Sequence, residues 1–480
     1  MTAALAMASP SGTVEIVPTA RLPREGRRRW ASAAVARGAV QSGMSPSLPR
    51  RAWRLARSVC ALVSLVASAA RARAQSAQEP RADWIDSATG HRVIRLSAEP
   101  GSQTLYFHDN AYSPQGDRYV FTGPRGIMLV DLTTLGSRPP VPELIVPGGR
   151  GAYVARRSRE VYFTRGQEVF AYDFDTKATR PVPHATRTLI NADESLTVGT
   201  VTAEDPTGRT PRPPARTPRP QLERMFPGKR LDELTPEQQY AVTKEEGLAR
   251  RAVNPEGMAF VVTDLATGAA RTVGYQYGWL NHLQFSPVDP TLLLYCHEGT
   301  WHEVDRIWTI RTDGSQMTLR HARTMDMEIA GHEFWSFDGK TIWFDLQTPR
   351  SQVFWIAGVD VATGKERRYR IDRDAWSVHY NVSRDDSLFM GDGGDETQVA
   401  FAPNGRWINL FRVQPNGTVR REKLVNMAQH NYVTGRGGVE PNGSITPDKR
   451  WVIFTGNFDG ARHVYAVEVA TLGMTRKGAP

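Results

Sequence analysis

After residue 100 the chain repeats itself. A turn rich in Ser, Pro, Asp and Gly leads into an apolar strand, then a short gap, then a second strand ending in Asp-x-x-Thr-Gly or a close variant. "YSPQGDRYVFTG" with "IMLVDLTT" is one instance, and "SFDGKTIWFDLQ" with "FWIAGVDVATGKE" is another. About seven such units follow one another to the C-terminus, most at the period of a four-stranded blade. Each unit alternates apolar and polar residues in period two between turn formers, which is the pattern of a β-meander. One small twisted sheet cannot bury both of its faces, but several packed radially can. The expected fold is therefore all-β, a seven-bladed β-propeller, with the early "HRVIRLS" stretch supplying a strand that closes the ring.

One segment breaks the repeat. Residues 205–251 fall inside the third unit, and their first half, "DPTGRTPRPPARTPRP", is too rich in proline to build strand ladders. The second half, "LTPEQQYAVTKEEGLARR", places Pro directly after a Thr cap and continues with good helix formers. A loop-plus-helix insertion over one face of the ring is expected, either a floppy decoration or a basic rim carrying Arg209, Arg212, Arg216, Arg219 and Arg224.

The formal net charge of +10 hints at a polyanion partner. Residues 1–74 hold 12 Arg, no Lys and 2 Glu, which accounts for the whole excess and leaves a neutral body. Nothing there calls for nucleic acid. The same segment reads as an N-terminal extension and signal peptide. "RRAWRLAR" is a basic start, "VCALVSLVASAA" is an apolar stretch too short to span a bilayer comfortably, and "ARA" ending at Ala74 is an A-x-A cleavage sequence. Met44 would begin a signal of ordinary length, and Gln75 would begin the exported, periplasmic mature chain. Residues 75–480 then form a single propeller domain, with no membrane segment left after cleavage. Of the two cysteines only Cys296 lies in that domain, so stability must come from packing and not from a disulfide.

Five histidines, His282, His297, His302, His332 and His379, fall in segments leading into or joining units four to six. In a propeller such segments gather at one end of the central channel. Histidines with carboxylates there suit a metal site or a proton-transfer site, although any single one of them is more often structural.

The stretches around these histidines resemble a known family. "NHLQFSPVDPTLLLYCHEGTWHEVDRIWTI", "GHEFWSFDGKTIWF", "HYNVSRDDSLFMGDGGDE" and "EPNGSITPDKRWVIFTGNFDG", with "LYFHDNAYSP" and "NADESLTVGT" before them, are together similar to the oligogalacturonate lyases. These are seven-bladed propellers that cleave short pectin-derived oligomers. The resemblance implies His332, in "GHEFW", as the proton-abstracting base, with Gly331 where the family has Thr. It implies Arg306, in "VDRIW", as the catalytic arginine, and His379 as a metal ligand. It departs at "GGVEPNGSITP", where the family's two ligating histidines fall on Glu440 and Asn442 and its glutamine on Gly437. Such a donor set suits Mn²⁺, Ca²⁺ or Mg²⁺ better than a soft metal, and His430 is an alternative ligand. His282, His297 and Glu298 are candidates for contact with an anionic oligosaccharide.

The chemistry implied is β-elimination. The C5–H of a uronate is a very weak acid, so its carboxylate must be neutralised, a neutral base must reach the proton and a guanidinium must hold the developing charge. Two other readings remain open on the sequence. One is a non-catalytic propeller that binds glycan or protein. The other is a lyase for a different uronate-containing glycan.

Overall fold

The computed structural model describes residues 81–214, 217, 219–433 and 437–470. The leader sequence, Gln75 and Arg216 lie outside these. Seven small antiparallel sheets follow in chain order. Blade one holds strands Arg118–Gly123, Gly126–Asp131 and Glu143–Pro147, and blade two runs from Arg150–Val154 to Thr179–Pro181. Blade three pairs Leu196–Thr202, Gly257–Asp264 and Ala270–Tyr277. Blades four, five and six begin with Trp279–Phe285, Ile329–Trp335 and Tyr380–Val382. Blade seven joins both ends of the chain. Arg92–Arg95 lies antiparallel to His463–Glu468, which continues through Trp451–Gly456 to Ser444–Ile445. The closing strand expected from "HRVIRLS" is thus in place.

The period-two pattern explains why these sheets stack. Middle strands such as Thr341–Gln347 and Trp451–Gly456 are buried along their whole length, because both faces meet neighbouring blades. Trp343, Trp376, Trp451, Tyr162 and Phe121 are among the largest fully buried side chains. The first strand of each blade lines the channel, and all of these strands run in the same direction, so the segments that precede them collect at one end.

The second half of the insertion is an ordered helix packed on the propeller. This helix, Pro236–Arg251, starts at the Thr235 cap with a reciprocal capping box to Gln238, as "LTPEQQ" predicts. Ala241, Val242, Glu245 and Ala249 are buried on one side of it. Arg224, a residue of the expected basic rim, is occupied by Glu303 at 3.4 Å and Asp326 at 2.7 Å. Among the described residues, no helix is long and apolar enough to cross a membrane.

A charged clamp joins blades four and five. His321 is buried, with Nδ1 2.5 Å from Glu366 and Nε2 3.1 Å from Glu328, one residue before the strand Ile329–Trp335. Burial opposes its charge, and the two carboxylates outweigh burial, raising the His321 pKa from 6.5 to about 8. A raised folded-state pKa stabilises the fold fully below pH 6.5, and that contribution is lost as pH climbs through about 8. The size is about 2 kcal/mol, from roughly 1.4 kcal/mol per pH unit. Urea unfolding at pH 6 and pH 9 should show the loss, and His321→Gln should flatten the difference.

Candidate active site

Two of the expected histidines are aimed by the backbone itself. The first strands of blades four and five slip register at β-bulges, between Asn281 and Gln284 and between Gly331 and Phe334. The bulged residues are His282 and His332, in left-handed backbone at φ 49° and 51°. Asn442, just ahead of blade seven's first strand, adopts the same conformation at φ 48°. A bulge turns a side chain out of the strand's alternation, and a non-glycine residue in this region costs about 1–3 kcal/mol. Such conformations concentrate at functional sites. Gly331 has a different role. A Cβ there would lie 2.2 Å from the Trp301 ring, so glycine in place of the family's threonine is what lets the indole approach His332.

His332 stands between two neighbours. Its ring centre is 4.8 Å from that of His379 and 4.7 Å from that of Trp301. The Arg306 guanidinium lies over the other partner surface of Trp301, 3.9 Å from the ring centre. His332 Nδ1 is buried and has no hydrogen-bond partner. Burial holds its pKa well below the ordinary histidine value, and the neighbouring Arg306 and Lys244 charges push it the same way. The imidazole is therefore neutral at pH 7.

His379 is fully buried and fixed. Asp392 accepts from its backbone N–H at 2.8 Å and lies 2.9 Å from its Nδ1. That leaves Nε2 buried and without a hydrogen bond, facing Glu440 Oε2 at 3.8 Å. A carboxylate behind one ring nitrogen and an unpartnered second nitrogen is the arrangement of a metal-ligating histidine. The 3.8 Å separation is too long for a hydrogen bond. The pair fits a divalent cation that accepts nitrogen and oxygen donors. Among the described residues no group of three or more His, Cys, Asp or Glu converges on a point that could hold a metal, so water and substrate would supply the remaining donors. Asn442 braces this cradle. Its side-chain oxygen accepts from the Phe107 N–H at 3.2 Å, and its amide donates to the Glu440 carbonyl at 3.0 Å.

Arg306 is buried, and its guanidinium donates to the Gly299 carbonyl at 2.9 Å and lies 3.9 Å from Glu298. Glu298 also accepts from Asn281 at 2.9 Å and faces His282 Nε2 at 3.6 Å. Burial works against both charges of this pair. His282 and Arg306 nevertheless hold the Glu298 carboxyl down at about 2, and Glu298 raises His282 above its ordinary value.

His282, His332 and His379 thus meet at the channel end, with Arg306, Glu298 and Glu440 around them. His297 and His302 do not join them. His297 Nε2 lies 3.1 Å from the Tyr277 carbonyl, a blade-to-blade contact. His302 lies beneath the insertion helix, 3.9 Å from Glu245. His430 is also spoken for, because Nε2 is 2.7 Å from the Val439 carbonyl and Nδ1 accepts from the Asn457 N–H at 3.3 Å. It cannot serve as a replacement ligand without breaking both bonds. Four further contributors have no assigned role in the sequence reading. Phe107 stacks on His379 at 4.4 Å, Tyr106 stacks on His282 at 5.6 Å, Trp301 lies against both His332 and Arg306, and Asp392 orients His379. The first two sit in the quoted "LYFHDN" and Asp392 in "GDG", so aromatic or acidic residues flanking a histidine motif were the available signal.

Comparison with known proteins returns one family. The family model described as oligogalacturonate lyase matches residues 252–472. An oligogalacturonide lyase of Pectobacterium atrosepticum is 30% identical over 214 residues, covering 43% of this chain and 54% of the relative. An oligogalacturonate lyase of Dickeya dadantii is 31% identical over the same shares. The chain thus spans about half the length of the curated relatives it matches. A solved oligogalacturonate lyase in complex with manganese superposes with a TM-score of 0.61 at 20% identity, over 81% of this chain and 96% of that one. The Vibrio parahaemolyticus oligogalacturonate lyase gives 0.60, with the same identity and shares. Over residues 252–472 the chain carries the oligogalacturonate lyase family's sequence pattern, on the seven-bladed propeller of that family's solved structures.

Proposed function

We propose that the protein is a lyase that cleaves short oligogalacturonides by β-elimination. The observation that carries this reading is a neutral, unpartnered His332 set between a buried guanidinium and the His379–Glu440 pair. His332 removes the C5 proton. The fixed positive charge of Arg306 meets the negative charge that then gathers on the C6 carboxylate. The C4–O bond breaks, its electron pair leaves with the oxygen, which takes a proton from water, the protonated His332 returns its proton to the solvent, and a 4,5-unsaturated uronate remains. Tyr106, Phe107 and Trp301 exclude water around the imidazoles, which strengthens each charge interaction. His379 and Glu440 would hold a divalent cation, with manganese the first choice, and when bound it would neutralise the substrate carboxylate.

The decisive measurement is absorbance in the unsaturated-uronate band after mixing the protein with di- and trigalacturonate and Mn²⁺. A rise on these substrates supports the reading, and silence on every uronide tested would leave a binding propeller. A rise only on another uronate glycan would favour the second lyase reading, which the reduced ligand set around Glu440 motivates. Metal affinity has its own check. Glu440→Ala should weaken Mn²⁺ binding by calorimetry about 10- to 100-fold or more, since it removes one of only two side-chain donors. We also place the protein outside the cytoplasm, on the strength of "ARA" ending at Ala74. A mature N-terminus at Gln75 in a periplasmic fraction checks that placement.

A further inference from the structure

The insertion helix Pro236–Arg251 carries a stripe that this reaction leaves unused. Lys244, Leu248 and Arg251 stand at i, i+4 and i+7 and share one face. Three contacts fix where that face looks. The Arg251 guanidinium lies 4.1 Å from the Trp279 ring centre, at the start of the strand that carries His282. Leu248 packs against the large apolar cluster that includes Trp301 and Phe107 together with much of blades five and six. Glu245, next to Lys244, is buried 3.9 Å from both Arg350 and His302, which prevents the helix from rolling. The stripe therefore runs along the blade-four flank of the base, and the Lys244 charge reaches His332.

Lys244 is half-buried and has no hydrogen bond or ion pair among the described residues. The nearest acid that feels its charge, the buried Glu245, also faces Arg350 at 3.9 Å, so the ammonium is open to an incoming anion. We infer that Lys244 binds substrate, taking the carboxylate of the uronate that adjoins the one losing its proton. This inference rests on the lyase reading above. The His379–Glu440 pair comes from blades six and seven, on one flank of His332. Trp301, Arg306 and the helix lie on the other. A 4-linked uronate chain crossing His332 presents one carboxylate to each flank, and on the second flank Lys244 is a cation with no salt bridge among the described residues.

The test compares wild type, Lys244→Met and Lys244→Arg on digalacturonate at low and high salt. Lys244→Met should raise KM about 10-fold, the scale of one charge-assisted contact, while kcat changes less than about threefold. Lys244→Arg should restore KM, and the KM of Lys244→Met should respond less to salt than that of wild type. An active wild type with an unchanged KM in Lys244→Met overturns the inference and leaves the lyase reading standing. If wild type turns over no uronide, calorimetric binding of trigalacturonate to wild type and Lys244→Met reads the same contact without chemistry. Equal affinity, or no binding to either, then overturns it, and about 10-fold weaker binding by Lys244→Met supports it.

Discussion

Replacing His332 with alanine is expected to lower kcat on trigalacturonate by about 10³-fold, within the usual range for a lost general base. The propeller should survive, because His332 makes no hydrogen bond through its buried Nδ1 and the substitution also removes a ring from beside two aromatic neighbours without unpairing any charge. An unchanged urea midpoint with lost turnover would separate chemistry from folding. Full activity in the variant would sink the base assignment. The wild-type pH profile carries a second expectation. A base must be neutral to accept a proton, and burial together with the cations around His332 lowers its pKa well below 6.5. The activity should therefore persist on acidification past the ordinary histidine range and fall only below it. A kcat/KM profile that dropped at pH 6.5 or above would contradict the site's electrostatics.

Arg306→Ala should cost about 10²- to 10³-fold in kcat, the scale seen when a preorganised charge-stabilising group is lost. The variant should also show a change that a purely structural residue would not produce. Arg306 is among the cations that depress His332, so the acid limb of the pH profile should move upward in its absence. Arg306→Lys keeps the charge but not the planar fork, which stacks on Trp301 and donates to the Gly299 carbonyl. It should recover the position of the acid limb without recovering full kcat. Both variants should lose some stability, because Glu298 keeps only His282 and Asn281 as partners.

The blades were legible because each is a local pattern. Turn chemistry, period-two alternation and strand length are written within some 40 residues, and the Thr235–Pro236 helix start is written within four. The closing strand was legible for the same reason, its alternation being complete before its partner is known. Which histidines converge is a different kind of question. His297 and His332 both lie in strands beside glycine-containing turns, and only the bulge at Gly331–Phe334 turns one of them into the cluster. The slip sits where Trp301 packs over Gly331, a long-range contact that no local pattern encodes. Glu245 and Lys244 were out of reach for the same reason. They sit on an insertion whose place over blade four is decided by Leu248, Arg251 and the buried Glu245 contacts.

The joint in blade seven has a consequence in time. Arg92–Arg95 leaves the ribosome well before His463–Glu468, its hydrogen-bonded neighbour. The same two ends meet again at the cradle, where Asn442 accepts from the Phe107 N–H and holds the Glu440 carbonyl. A nascent chain stalled after blade six would own the base, the arginine and His379, yet have neither a closed ring nor a second metal donor. Removing either Arg92–Arg95 or His463–Glu468 should therefore open the ring and loosen the Glu440 side of the cradle together.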